Sequence, residues 1–151
     1  SKYDFLNNLF HAAGYMIDVY RSKSHAEHNY IKYLADARLI NIIYPLGQEF
    51  PKKPTKVMLH NSNLLSAIYP INVDLQTKME TFFVNAMWKD HKVNQSQRDT
   101  YYIIDGNRRF RICNAETDRK ARYNADITYM RYNTEIGKDN LIPLWLLGFI
   151  Y

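Results

Sequence analysis

Apolar positions change their spacing along this chain, and each change predicts a new element. Over residues 3–22, Phe5, Leu6, Leu9, Phe10, Ala13, Ile17 and Tyr20 fall roughly on one helical face. Gly14 predicts a break into two short helices. Ser22 or Ser24 can cap a following helix, and Glu27 stands three residues after Ser24 as in a capping box. From Ala26 to Ala37, Tyr30, Leu34 and Ala37 line a stripe with Ile31 beside it. Leu39–Tyr44, rich in β-branched residues, then reads as a strand. Pro45, Gly47, Pro51 and Pro54 predict a loop or wing tip with Lys52, Lys53 and Lys56 nearby, and Lys56–Leu59 a short strand.

The second half repeats the alternation of periods. Asn61 or Ser62 caps a helix to about Tyr69, ended by Pro70. Asp74 caps a longer helix to about His91, whose apolar face holds Leu75, Met79, Phe82, Phe83, Ala86 and Met87. Short strands are expected at Lys92–Gln95, Tyr101–Ile104, Arg108–Cys113 and Ala125–Met130, with Asp105-Gly106 turning between the second and third. Residues 140–151, "NLIPLWLLGFIY", are strongly apolar. They predict a closing segment docked on the core, or an exposed face for a partner.

Composition changes this picture little. At 151 residues, 46% hydrophobic and 23% charged, the chain fits one globular domain or two small ones. The net charge of +5 permits an acidic partner or phosphates without requiring either. The 13 tyrosines read mostly as half-buried packing residues. Cys113, the single cysteine, excludes an internal disulfide and a Cys-based zinc site, and fits a small core residue in a reducing, cytoplasmic setting. The sequence has no run long and apolar enough for a membrane span. The histidines show no metal-binding spacing beyond the His25/His28 pair.

Three stretches together carry a resemblance: "VMLHNSNLLSAI" (Val57–Ile68), "METFFVNAM" (Met79–Met87) and "LIPLWLLGFIY" (Leu141–Tyr151). They resemble the C-terminal region of a bacterial AAA-type ATPase family. There an ATPase domain precedes a winged helix and then a domain of unknown function similar to the restriction-endonuclease, PD-(D/E)xK, fold. "NYIKYLADARLINIIYP" (Asn29–Pro45) resembles the last helix and first wing strand of the winged helix. The resemblance implies an α/β chain: a winged-helix-like segment over residues 1–56, then a small restriction-endonuclease-like mixed sheet with flanking helices over 57–151. It implies an upstream ATPase domain or another protein as partner, DNA as a candidate ligand, and no membrane. The chain has no G-x-x-x-x-G-K-[ST], so ATP and Mg²⁺ are expected only in the upstream ATPase and no cofactor in this chain.

An active PD-(D/E)xK site holds a hard cation on carboxylates, with a lysine near the attacking water. The resemblance matches Glu80 to the helical glutamate. Counting back from the turn puts Tyr101 at the aspartate position, with Asp99 reachable by a two-residue slip, and Arg111 and Ala115 at the remaining positions. A guanidinium there would repel a cation, so the site is expected to be degenerate and without catalytic residues or metal. A metal-dependent nuclease using Glu80, Asp99 and Glu116 in a shifted register is the rival reading, and a pure protein-docking module the third.

Two basic groups complete the candidates. Arg108, Arg109, Arg111, Arg119, Lys120 and Arg122 form either a phosphate-contacting strip or a solvated edge. On a strand Arg109 and Arg111 would share one face, with Arg108 and Phe110 on the other. In a winged helix, His25, His28, Asn29 and Lys32 would lie on the recognition helix.

Overall fold

The structure, a computed structural model, describes residues 32–61, 63, 74–96, 101–114 and 124–149. It is a mixed α/β protein. Among the described residues no helix is long and apolar enough to cross a membrane.

The first described segment, 32–36, is helical. It ends at Arg38, whose φ of 56° reverses the chain, and the Leu39 amide donates back to Leu34 O at 3.1 Å. This i→i−5 bond is that of a Schellman turn, in which glycine is the usual reversing residue. The chain leaves it as β1 (Ile40–Ile43), which pairs antiparallel with β2 (Lys56–Leu59) from Ile40↔Leu59 to Ile43↔Lys56. The proline-rich loop between them turns at Pro45–Gln48.

Helix α1 (Leu75–Trp88) starts where the sequence places its cap. Asp74 Oδ1 accepts from the Thr77 amide at 2.9 Å and Oδ2 from the Thr77 hydroxyl at 2.6 Å. The buried face is Met79, Thr81, Phe83, Val84 and Met87, with Phe82 and Ala86 half-buried. Leu75, expected on that face, is the first residue of the helix and is 44% exposed, lining a cleft described below.

A five-stranded sheet follows in the order β3 (Val93–Gln95), β4 (Tyr102–Ile104), β5 (Arg108–Cys113), β6 (Ile127–Arg131) and β7 (Leu141–Pro143). The first three form an antiparallel meander; β6 joins β5, and β7 joins β6, in parallel. The β4–β5 turn takes positive φ at Asp105 (52°) and Gly106 (79°), the left-handed pair that matches the twist of a hairpin. Strand β7 carries no sequence signal separable from the apolar run around it. After it, the 3₁₀ helix Leu144–Phe149 buries Leu144 and Leu147, while Trp145 and Phe149 stay exposed and meet edge to face at 6.0 Å.

The two sheets touch where Tyr44 bridges to Asn94, with the Gln95 amide donating to Tyr44 O at 3.1 Å. Ile43 and Met58 share one hydrophobic cluster with Met79, Phe83, Val93, Tyr102, Ile112, Met130 and Leu147. Residue 56, the last of the expected first segment, is the first residue of β2.

Candidate functional site

Strand alternation decides what faces α1. Phe110 packs on Phe83 at 5.6 Å between ring centroids, and Tyr102 packs on the same ring at 5.3 Å. Tyr102↔Phe110 is a register pair, so Tyr102, Ile104, Arg108, Phe110 and Ile112 share one face of the meander. Ile103, Arg109, Arg111 and Cys113 belong to the other.

On the α1 face lies Glu80, its side chain 15% exposed. Its Oε2 accepts from the Lys56 ammonium and, at 2.7 Å, from the Tyr102 hydroxyl. Its Oε1 accepts from Gln76 Nε2 at 3.0 Å. The same Gln76 nitrogen donates to Ile112 O at 3.0 Å, and Gln76 Oε1 accepts from Asn114 Nδ2 at 3.1 Å. One carboxylate thus ties together β2, α1, β4 and the end of β5. Burial pushes the Glu80 carboxyl up, but the Lys56 charge and the hydrogen bonds from Lys56, Gln76 and Tyr102 outweigh it and hold the group below the ordinary glutamate range. Tyr102 moves the opposite way: burial first and the Glu80 charge second push its phenol far above the usual range, so it remains a donor.

The register counted from the turn set Tyr101 and Arg111 at positions of the site. The residue facing Glu80 is Tyr102, whereas the Tyr101 ring lies 5.6 Å from the Arg109 guanidinium. The cation beside Glu80 is Lys56 and not Arg111, which leaves β5 on the opposite face from Phe110 and Ile112. Tyr102, Ile104 and Ile112 on this face are buried and Phe110 is half-buried, while Ile103 and Cys113 on the opposite face are buried too, so burial on these strands does not follow a period of two. Nothing in the sequence pattern singled out Lys56 or Gln76 as partners of Glu80, or Asn114 as a partner of Gln76.

Arg108 splits from Arg109 and Arg111 as alternation requires, and is engaged: its Nη2 donates to Asp105 Oδ2 at 2.9 Å. Asp105 is held below the ordinary range by the Lys92 amide and by His91, whose Nδ1 lies 2.8 Å from Oδ2. Lys32 is exposed with its ammonium 5.7 Å from the Phe50 ring centroid. Asp99, Ala115, Glu116, Arg119, Lys120 and Arg122 lie outside the described residues, as do His25, His28, Asn29 and most of the helix expected after Asn61.

Beside this network a cleft of about 510 Å³ opens between the start of α1 and the ends of β5 and β6, lined by Asp74, Leu75, Gln76, Asn114, Arg131, Tyr132 and Asn133. Among the described residues no three His, Cys, Asp or Glu side chains converge to hold a metal ion. A cation at Glu80 would have to displace the Lys56 ammonium and the Tyr102 proton from Oε2. Comparison with protein-family models, with curated proteins and with solved structures found no match.

Proposed function

We propose that this chain is a non-catalytic accessory and interaction domain of an AAA-type ATPase, with a restriction-endonuclease-like scaffold behind a winged-helix-like segment. One observation carries the non-catalytic part: both oxygens of Glu80, the helical carboxylate such a nuclease would use, are occupied by Lys56, Tyr102 and Gln76. The scaffold part is supported by a glutamate on a helix that precedes an antiparallel meander and faces its second strand. The tie to an ATPase rests on the three sequence stretches.

Plasmid DNA incubated with the chain and Mg²⁺ or Mn²⁺ tests the reading. The expected result is intact plasmid; cleavage that disappears in Glu80→Ala overturns it in favour of a metal-dependent nuclease. Nucleic-acid contact would use Arg109 and Arg111, which share a face. Anisotropy of labelled DNA at low and moderate salt separates that role, whose binding fades with salt, from protein docking alone, which gives no signal at low salt.

A further inference from the structure

A second cleft, of about 520 Å³, lies away from Glu80, between the reversal at Arg38, the end of β2 and the last turn of α1. Ala35, Arg38, Asn41, His60, Asn85, Trp88 and Lys89 line it. Its floor is a fixed polar chain. Asn41, 1% exposed, donates from Nδ2 to Asn85 Oδ1 at 3.0 Å. Its Oδ1 lies 2.7 Å from His60 Nδ1. An amide oxygen can only accept, so His60 Nδ1 carries the proton in that contact. Asn85 Nδ2 and His60 Nε2 are left outside the chain, their side chains oriented by a buried amide.

The charges on the rim are Arg38 and Lys89, both exposed; neighbouring Asp36 and Asp90 are not among the described lining residues. Two cations, with no carboxylate among the described lining residues, favour an anion. Trp88, half-buried against the core, also lines the cleft, and the part of its indole that lines it offers an aromatic surface for a planar group such as a nucleobase. The volume suits a small organic ligand and is generous for an inorganic anion.

We infer that this cleft binds a nucleotide unit, its phosphate between Arg38 and Lys89 and its base against Trp88, with His60 and Asn85 supplying polar contacts to the ligand. The unit is either a free nucleotide or one residue of a single strand. The inference does not depend on the reading of Glu80.

Trp88 fluorescence in the full chain, in a Trp145→Phe background, reports occupancy. The probes are AMP, a short oligothymidylate and inorganic phosphate. Saturable quenching is expected from AMP or the oligonucleotide, with phosphate at least tenfold weaker. Tighter binding of the oligonucleotide than of AMP, fading with salt, assigns the strand; the reverse order assigns the free nucleotide. The double variant Arg38→Gly, Lys89→Ala should weaken binding at least tenfold. Glycine suits the left-handed φ at position 38, so the thermal midpoint should be kept. No saturable quenching by either nucleotide probe, phosphate competing as well as AMP, or full affinity in the double variant would each overturn the inference.

Discussion

Lys56 and Glu80 come from a strand start and a helix turn, yet their charges meet at one carboxylate oxygen that also takes the Tyr102 hydroxyl. Lys56→Met leaves the carboxylate buried with its largest favourable partner gone. Urea unfolding at pH 7 should show a loss of about 1–2 kcal/mol, modest because Lys56 is 38% exposed and water carries part of the charge. The pH dependence fixes the sign. The Glu80 carboxyl is depressed in the folded protein, so its contribution is full above the ordinary glutamate range and is lost as pH falls through the folded value. In Lys56→Met burial acts with less opposition and the carboxyl rises from its wild-type position, so the acid-side loss of stability should shrink. Unfolding midpoints measured from about pH 2.5 to 7 for both proteins check the difference.

Elements were legible where a local rule sets them. Asp74 begins α1 because a side-chain oxygen meets the Thr77 amide, and Asp105-Gly106 turns the hairpin because both positions take left-handed φ. β1, β2 and β5 follow from β-branched or alternating runs bounded by Pro, Gly and Asp. What pairs with what was less legible. Parallel pairing of β5, β6 and β7 is a long-range choice with no local mark, and β7 hides in an apolar run whose next turn, Leu144–Phe149, is helical. The site suffered likewise: Glu80 could be picked out on its helix, but its neighbours Lys56 and Tyr102 come from strands far along the chain. Asp74→Ala should destabilise by about 1 kcal/mol, the usual worth of a helix N-cap, and thermal melts by circular dichroism would detect it.

Across the whole molecule one core joins the two sheets. Phe83 is fully buried and touches Tyr102 and Phe110, and its cluster includes Ile43 of β1 and Met58 of β2. Phe83→Ala should therefore cost about 3–5 kcal/mol. Because both sheets share that cluster, Trp fluorescence and far-ultraviolet circular dichroism should report one coincident unfolding transition in the wild type and in the variant. Two separated transitions would mean that the β1–β2 pair folds independently.

The Glu80 carboxylate is already engaged by protein donors on both oxygens. Manganese titration of the ¹³C-glutamate-labelled chain at neutral pH, followed at the side-chain carboxyl carbons, tests it most directly. With its oxygens engaged, the Glu80 signal should broaden no more than those of exposed glutamates. Selective broadening of Glu80 at low manganese, lost when magnesium is added in excess, would contradict it.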